Sequence, residues 1–63
     1  MREMRKEEWF LEYVELNEVE KAKAMIEKDE VNINAVNDYK ENALLLALGN
    51  GQEEFADYLI DKG

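Results

Sequence analysis

The pattern of apolar and polar residues along this 63-residue chain predicts four short helices. Apolar residues recur three or four positions apart, which places them on one side of a helix. In the first helix this stripe contains Trp9, Phe10 and Tyr13, which we expect to be core residues. Asn17 should end that helix, because asparagine tolerates the left-handed conformation. The predicted helices cover approximately residues 5–16, 18–28, 42–49 and 52–62.

The stretch between the second and third helices has a different pattern. From 29 to 41, valine and isoleucine alternate with asparagine and aspartate, which favour turns and compete with helical hydrogen bonds. We therefore expect an extended loop or hairpin there. Asn42 can cap the third helix. The Gly49-Asn50-Gly51 stretch should end it, because glycine adopts positive φ at little cost.

Two segments of the chain match each other at a spacing of 34 residues. When residues 17–29 are aligned with residues 51–63, Glu20 falls on Glu54 and Ala22 falls on Ala56. A fixed period of this size is typical of a solenoid, in which similar units stack side by side.

The second of these segments, with the residues before it, resembles an ankyrin repeat. NDYKENALLLALGNGQEEFADYLIDKG is similar to that family's turn, its T-[PA]-L-H-x-A-A helix, an N-G-like stop and a second helix that closes on L-L-x-x-G. The resemblance implies an all-α fold of helix-turn-helix repeats in one domain, residues 1–63. A first repeat or cap would cover about 5–35 and a second repeat about 36–63.

Three residues depart from the family pattern. Lys40 stands where the family's turn favours glycine, so it costs on the order of 1 kcal/mol if the backbone there has positive φ. Leu45 replaces the motif's histidine, and Leu48 replaces its second alanine. With these exchanges the third helix carries four leucines, which is too many for one buried stripe.

A protein-binding function is implied by the resemblance. Ankyrin repeats mostly bind proteins through their hairpin tips and the concave face of their first helices. The implied contact residues are Asp38, Tyr39 and Lys40 at the tip and Leu46 on the concave face. Tyr39 is either an anchor for the partner or a tyrosine that lies on its own protein.

Self-association is a further expectation. A stack of repeats usually needs three or more units, and we find two. The last helix would then be incompletely covered, and a second copy, forming a homodimer, could cover it through a two-fold interface. The residues expected at this interface are Leu45, Phe55, Tyr58 and Leu59.

The composition excludes most catalytic chemistry. Because Ser, Thr, Cys and His are absent, the chain cannot build a catalytic triad or a cysteine or histidine zinc site. We therefore expect neither an enzyme nor a cofactor. Glu8, Glu12 and Glu15 could hold a hard cation, but a solvated helix face is the favoured interpretation. Pro is absent too, and so many missing residue types also suit an engineered or truncated repeat scaffold with no natural partner.

The net charge of −8 opposes binding to nucleic acid and to anionic membranes. A basic N-terminal segment, residues 1–6, is too short to reverse this. The same charge leaves open a different function, that of a small acidic inhibitor which imitates nucleic acid and occupies a basic cleft. No apolar run is long enough for a membrane span and no signal peptide is recognisable, so we expect a cytoplasmic protein.

Overall fold

The computed structural model describes residues 5–63 and places them in four α-helices. The helices are α1 (Lys6–Glu15), α2 (Val19–Glu27), α3 (Ala43–Gly49) and α4 (Glu53–Lys62). The all-α fold class is therefore confirmed, and each observed helix end lies within one residue of its prediction. Residues 1–4, which include most of the basic N-terminal segment, lie outside the described residues.

A residue with positive φ follows each of the first three helices, two positions after the last helical residue. These residues are Asn17, Asp29 and Gly51, with φ of 62°, 55° and 72°. In each case the next residue's backbone N–H donates to a carbonyl five residues earlier, as in the bond of 2.7 Å from Glu18 to Tyr13. This pattern satisfies carbonyl groups that the helix leaves unpaired and turns the chain back on itself.

At its start, α3 is held by a side-chain cap. The Oδ1 atom of Asn42 accepts a hydrogen bond of 2.9 Å from the backbone N–H of Leu45. The predicted capping role of Asn42 is therefore confirmed.

The helices pack as two antiparallel pairs, joined mainly between α1 and α3 and also by contacts of Tyr58 and Lys62 on α4 with Glu27 on α2. Helix α1 packs against α2, α3 packs against α4, and α1 packs against α3. Phe10 and Val14, both on α1, are the largest side chains that are fully buried. Four alanines contribute to the same core, so neighbouring helices can approach closely. The buried residues are Phe10, Leu11, Val14, Ala22, Ala43, Ala47, Phe55, Ala56 and Leu59.

The aromatic stripe of α1 is only partly buried. Phe10 is fully buried as predicted, and Tyr13 is half-buried. The prediction for Trp9 is wrong, because its side chain is 44% exposed. Trp9 lies to one side of the buried stripe, where its ring contacts that of Tyr13 at a centroid distance of 5.8 Å.

None of the helices within residues 5–63 combines the length and the hydrophobicity that crossing a lipid bilayer requires.

Candidate protein-binding surfaces

A short hairpin between α2 and α3 is organised by one asparagine side chain. The Oδ1 atom of Asn37 accepts hydrogen bonds from the backbone N–H groups of Tyr39, at 2.8 Å, and Glu41, at 3.0 Å. Its Nδ2 atom donates to Oε1 of Glu41 at 3.0 Å. An antiparallel bridge between Val36 and Asn42 closes the hairpin behind these bonds. The tip is therefore fixed by its own backbone and one side chain.

Tyr39 stands at this tip and is 83% exposed. The alternative in which it lies on its own protein is therefore wrong for this structure. Asp38 and Lys40 beside it are also exposed. Lys40 has a φ of 64°, which confirms that the turn needs positive φ at this position. Whether Tyr39 anchors a partner stays a prediction.

A groove of about 680 Å³ runs between α1 and the loop that precedes the hairpin tip. Five carboxylate side chains and one guanidinium line it, together with half-exposed Val36. We call it the acidic groove. Its charged residues are Arg5, Glu7, Glu8, Glu12, Glu15 and Asp38.

The carboxylates of the acidic groove influence one another. Partial burial, followed by the negative charge of Glu12 and a hydrogen bond with it, raises the pKa of Glu15 above its ordinary value. The charge of Glu41 acts in the same direction. Several lysines pair with carboxylates outside the groove; for example, Oε1 of Glu18 lies 3.0 Å from Nζ of Lys21. The groove therefore concentrates negative charge.

Leu46 does not join the other predicted contact residues in one site. It is half-buried and packs against the core. By the 34-residue spacing it is equivalent to Glu12, which lines the acidic groove. Of the four predicted contact residues, Asp38 lines that groove, while Tyr39 and Lys40 lie at the adjoining tip.

The second helix pair exposes large apolar side chains. Leu45, Leu48 and Ile60 are each more than half exposed, and we call them the open face. By the 34-residue spacing, Leu48 is equivalent to Val14, yet Leu48 is 59% exposed and Val14 is fully buried. Sequence reasoning named Leu45 but did not single out Leu48 and Ile60 as exposed apolar residues. Leu48 could have been found from its apolar equivalent Val14, 34 positions earlier, but Ile60 aligns with half-buried Ile26 and had no such signal.

Three other residues expected at the self-association interface are less accessible. Phe55 and Leu59 are buried, at 2% and 4% exposure, so the prediction that they are exposed is wrong. They form the stripe of α4 that faces the core, whereas Ile60 lies outside that stripe. Tyr58 is half-buried, and its hydroxyl donates to Oε2 of Glu27 at 3.0 Å. Burial and this hydrogen bond both raise the pKa of Tyr58.

The structure offers no metal site on the stretch that it describes. Glu8, Glu12 and Glu15 share one side of α1, but no group of three acidic side chains within residues 5–63 is arranged to hold a metal ion.

Comparison with known proteins agrees with the helical architecture. A family model described as ankyrin repeats in many copies matches residues 10–60, which is most of the chain. No curated protein and no solved structure matched this chain. Two helix-turn-helix units at a 34-residue spacing, a hairpin before α3 and the family match lead to the same conclusion. The chain belongs to the ankyrin repeat family.

Proposed function

We propose that this chain is a non-enzymatic module that binds a partner protein through its hairpin tip and the acidic groove. Ankyrin repeats are typically interaction modules, and membership of the family supports a protein partner. The observation that carries the proposal is the position of Tyr39, which is 83% exposed on a hairpin held by Asn37. A large side chain on a fixed backbone is suited to contact.

The hairpin lowers the entropy cost of binding. Tyr39 needs little backbone ordering on binding, because the Asn37 side chain already accepts hydrogen bonds from the N–H groups of Tyr39 and Glu41. Tyrosine also has few rotatable bonds for its contact area, which is why it is frequent among the residues that dominate interfaces.

The charge of the groove favours a basic partner. Five carboxylates and one arginine line it, so a segment rich in lysine and arginine gains electrostatic attraction there. Half-exposed Val36 adds an apolar contact between the groove and the tip. The same charge also supports the alternative of an acidic inhibitor that enters a basic cleft on its target.

The test is a titration of the ¹⁵N-labelled protein with a synthetic lysine- and arginine-rich peptide, followed by NMR. We expect chemical-shift changes at the hairpin and the acidic groove. Tyr39→Ala should weaken binding by about tenfold, or roughly 1.4 kcal/mol. Leu16→Ala is the matched control, since Leu16 is exposed but does not line the groove.

The salt dependence of binding distinguishes partner binding through Tyr39 from the acidic-inhibitor alternative. If Tyr39→Ala leaves affinity unchanged while added salt abolishes binding, contact is made through charge alone and the acidic-inhibitor alternative is favoured. If the peptide causes no shift at the groove, the proposed site is wrong.

The open face supports a second function, the pairing of two copies of the chain. Contiguous exposed apolar residues often mark a protein interface, and Leu45, Leu48 and Ile60 come from the two helices of one pair. Sedimentation from micromolar to millimolar concentration should show a dimer. Leu48→Glu should abolish it, because the charged side chain would lose water on association. Leu16→Glu, also an exposed leucine, should not.

Leu48 is a better probe than Phe55. Phe55 is buried, so a charge there would damage the fold and leave a loss of association uninterpretable. Leu48 is 59% exposed, and its substitution should leave the circular dichroism spectrum unchanged. A wild-type chain that stays monomeric at millimolar concentration would rule out this second function.

A further inference from the structure

We infer that Asn50 is a site of spontaneous deamidation, and that the folded turn between α3 and α4 holds this reaction back. Deamidation converts the side-chain amide of an asparagine to a carboxylate. Asn50 and Gly51 form the one Asn-Gly pair in the sequence. The inference is independent of the proposed binding surfaces, because the reaction needs only water and the backbone of the chain itself.

The reaction is a ring closure followed by hydrolysis. The backbone nitrogen of the residue after the asparagine loses its proton to the solvent and attacks the side-chain carbonyl carbon, Cγ. A bond forms between that nitrogen and Cγ, the bond from Cγ to Nδ2 breaks, and the departing nitrogen takes a proton from water and leaves as ammonia. Water then opens the succinimide ring at either carbonyl, which gives aspartate or isoaspartate without any oxidant or reductant.

Gly51 makes Asn50 the most reactive of the six asparagines when the chain is unfolded. The attacking nitrogen belongs to a residue with no Cβ, so no side chain hinders its approach, and glycine reaches backbone conformations that other residues avoid. The other five asparagines precede larger residues, which are Glu18, Ile33, Ala35, Asp38 and Ala43. Asn34, which is exposed in a loop and precedes alanine, is the internal reference.

In the folded protein both reacting groups are engaged, although Asn50 is exposed. Its Nδ2 atom donates to the carbonyl oxygen of Val14 at 3.3 Å. The N–H of Gly51 donates to the carbonyl oxygen of Leu48 at 3.2 Å. A hydrogen-bonded N–H gives up its proton less readily than a free one, so the turn makes Gly51 a weaker nucleophile.

The backbone angle at Asn50 is a stronger obstacle. In the planar ring, the nitrogen of Gly51 must eclipse Cβ of Asn50 about the Cα–C bond. The ψ angle of Asn50 is 1°, so that nitrogen eclipses the backbone nitrogen of Asn50 instead. Ring closure therefore requires rotation about this bond, which breaks the hydrogen bond to Leu48 and reorients the chain at the start of α4.

The reaction therefore proceeds from chains in which the turn has opened. Local unfolding takes microseconds to seconds, which is far faster than ring closure. Under these conditions the observed rate is the rate in the open chain multiplied by the fraction of chains that are open. Deamidation of Asn50 thus records how much time the turn spends open.

The product does not fit the original turn. A carboxylate has no proton to donate to the carbonyl of Val14 and places a second acceptor beside it. Isoaspartate also inserts a methylene group into the backbone before Gly51. This displaces the N–H of Gln52, which donates to the carbonyl of Ala47 at 2.9 Å. A modified chain therefore opens more readily, and refolding does not restore the amide.

The experiment incubates the wild-type protein in mildly alkaline buffer, with and without guanidinium chloride, and locates the products by peptide mass spectrometry. Asn50 should react at least about tenfold more slowly in buffer, where the turn is mostly closed, than in denaturant. In denaturant it should react faster than Asn34. Equal rates, in a buffer sample whose circular dichroism shows it folded, would overturn protection by the turn. An unmodified Asn50 in denaturant, or a faster reaction at Asn34, would overturn the site.

Two variants complete the test. Asn50→Gln keeps the amide but needs a larger ring, so the mass gain at position 50 should disappear. Gln52→Ala removes hydrogen bonds of 2.9 Å to the Val14 carbonyl and 3.0 Å to Oδ1 of Asn17, which hold the turn against the first helix pair. It should speed the reaction at Asn50 in buffer and leave the rate in denaturant unchanged. A Gln52→Ala protein that is less stable yet reacts in buffer at the wild-type rate would overturn the dependence on opening.

Discussion

Lys40 holds its backbone in a conformation that lysine seldom adopts. Its φ is 64°, in the left-handed region where a Cβ atom crowds the backbone. The surrounding hairpin maintains it, because the N–H of Lys40 donates to the carbonyl of Asn37 at 3.0 Å. The sequence predicted this strain from the family's glycine preference. It could not predict the exposure of Tyr39 next door, because a turn residue can fold back or project with equal local cost.

Replacing Lys40 with glycine should stabilise the protein. We expect Lys40→Gly to raise the free energy of unfolding by about 1 kcal/mol, since glycine removes the crowding at positive φ. Urea denaturation measures the change. Lys28→Gly is the matched control: Lys28 has a φ of −86°, so glycine there should destabilise. Equal effects at the two positions would contradict the assignment of strain to Lys40.

Glu15 should destabilise the fold when it is ionised. Its pKa is raised in the folded state by burial and by Glu12, so the folded protein binds a proton more tightly than the unfolded chain. Glu15→Gln should therefore raise the free energy of unfolding at pH 7, by less than about 0.5 kcal/mol at this exposed site. The gain should vanish below the ordinary pKa of 4.5, where the carboxyl is protonated in both states.

Glu53 is the control for Glu15, because its position favours a negative charge. Glu53 lies in the first turn of α4, where the helix dipole favours negative charge. Glu53→Gln should lower stability at pH 7. Denaturation of both variants between pH 4 and pH 7 checks the sign, and a Glu15→Gln gain that persists at acid pH would contradict the electrostatic explanation.

At the scale of the helix, apolar spacing and end signals were enough to place all four elements. Asn17 and Gly51 were recognisable helix ends, while the equivalent role of Asp29 was not singled out because it opens a polar loop. Which side of a helix remains uncovered was harder to predict. The apolar stripe of α4 marks the side that faces the core, and Phe55 and Leu59 belong to it. Ile60 lies outside the stripe, so the stripe does not predict the exposure of Ile60.

The two glycines at the end of α3 should respond oppositely to alanine. Gly49 is the last residue of the helix, and an added Cβ would meet no atom within 4 Å. Gly49→Ala should therefore stabilise by about 0.5 to 1 kcal/mol. Gly51 has a φ of 72°, so Gly51→Ala should destabilise by about 1 kcal/mol. Thermal unfolding of the pair tests this, and shifts of the same sign would contradict the assigned conformations.

For the whole molecule, the 34-residue period carried most of the predictive information. It indicated stacked units, and the structure has two helix pairs in contact through α1 and α3. The period alone does not show which side of the stack carries exposed apolar side chains. Exposure depends on side-chain size at equivalent positions, such as Trp9, which is partly exposed, and Ala43, which is buried between the pairs. Trp9 was wrongly predicted to be buried because the apolar stripe of α1 was analysed without the helices that pack against α1.

The contact between α1 and α3 has a consequence for how the protein unfolds. Long arrays can fray from one end, since each unit keeps other neighbours. Here, within residues 5–63, each helix pair packs against one other pair, and the fully buried side chains of Phe10 and Val14 belong to α1, which contacts both α2 and α3. Unfolding should therefore be all-or-none. A backbone cut near exposed Asn34 should give two peptides that are unstructured apart and that reassemble into a helical complex when mixed.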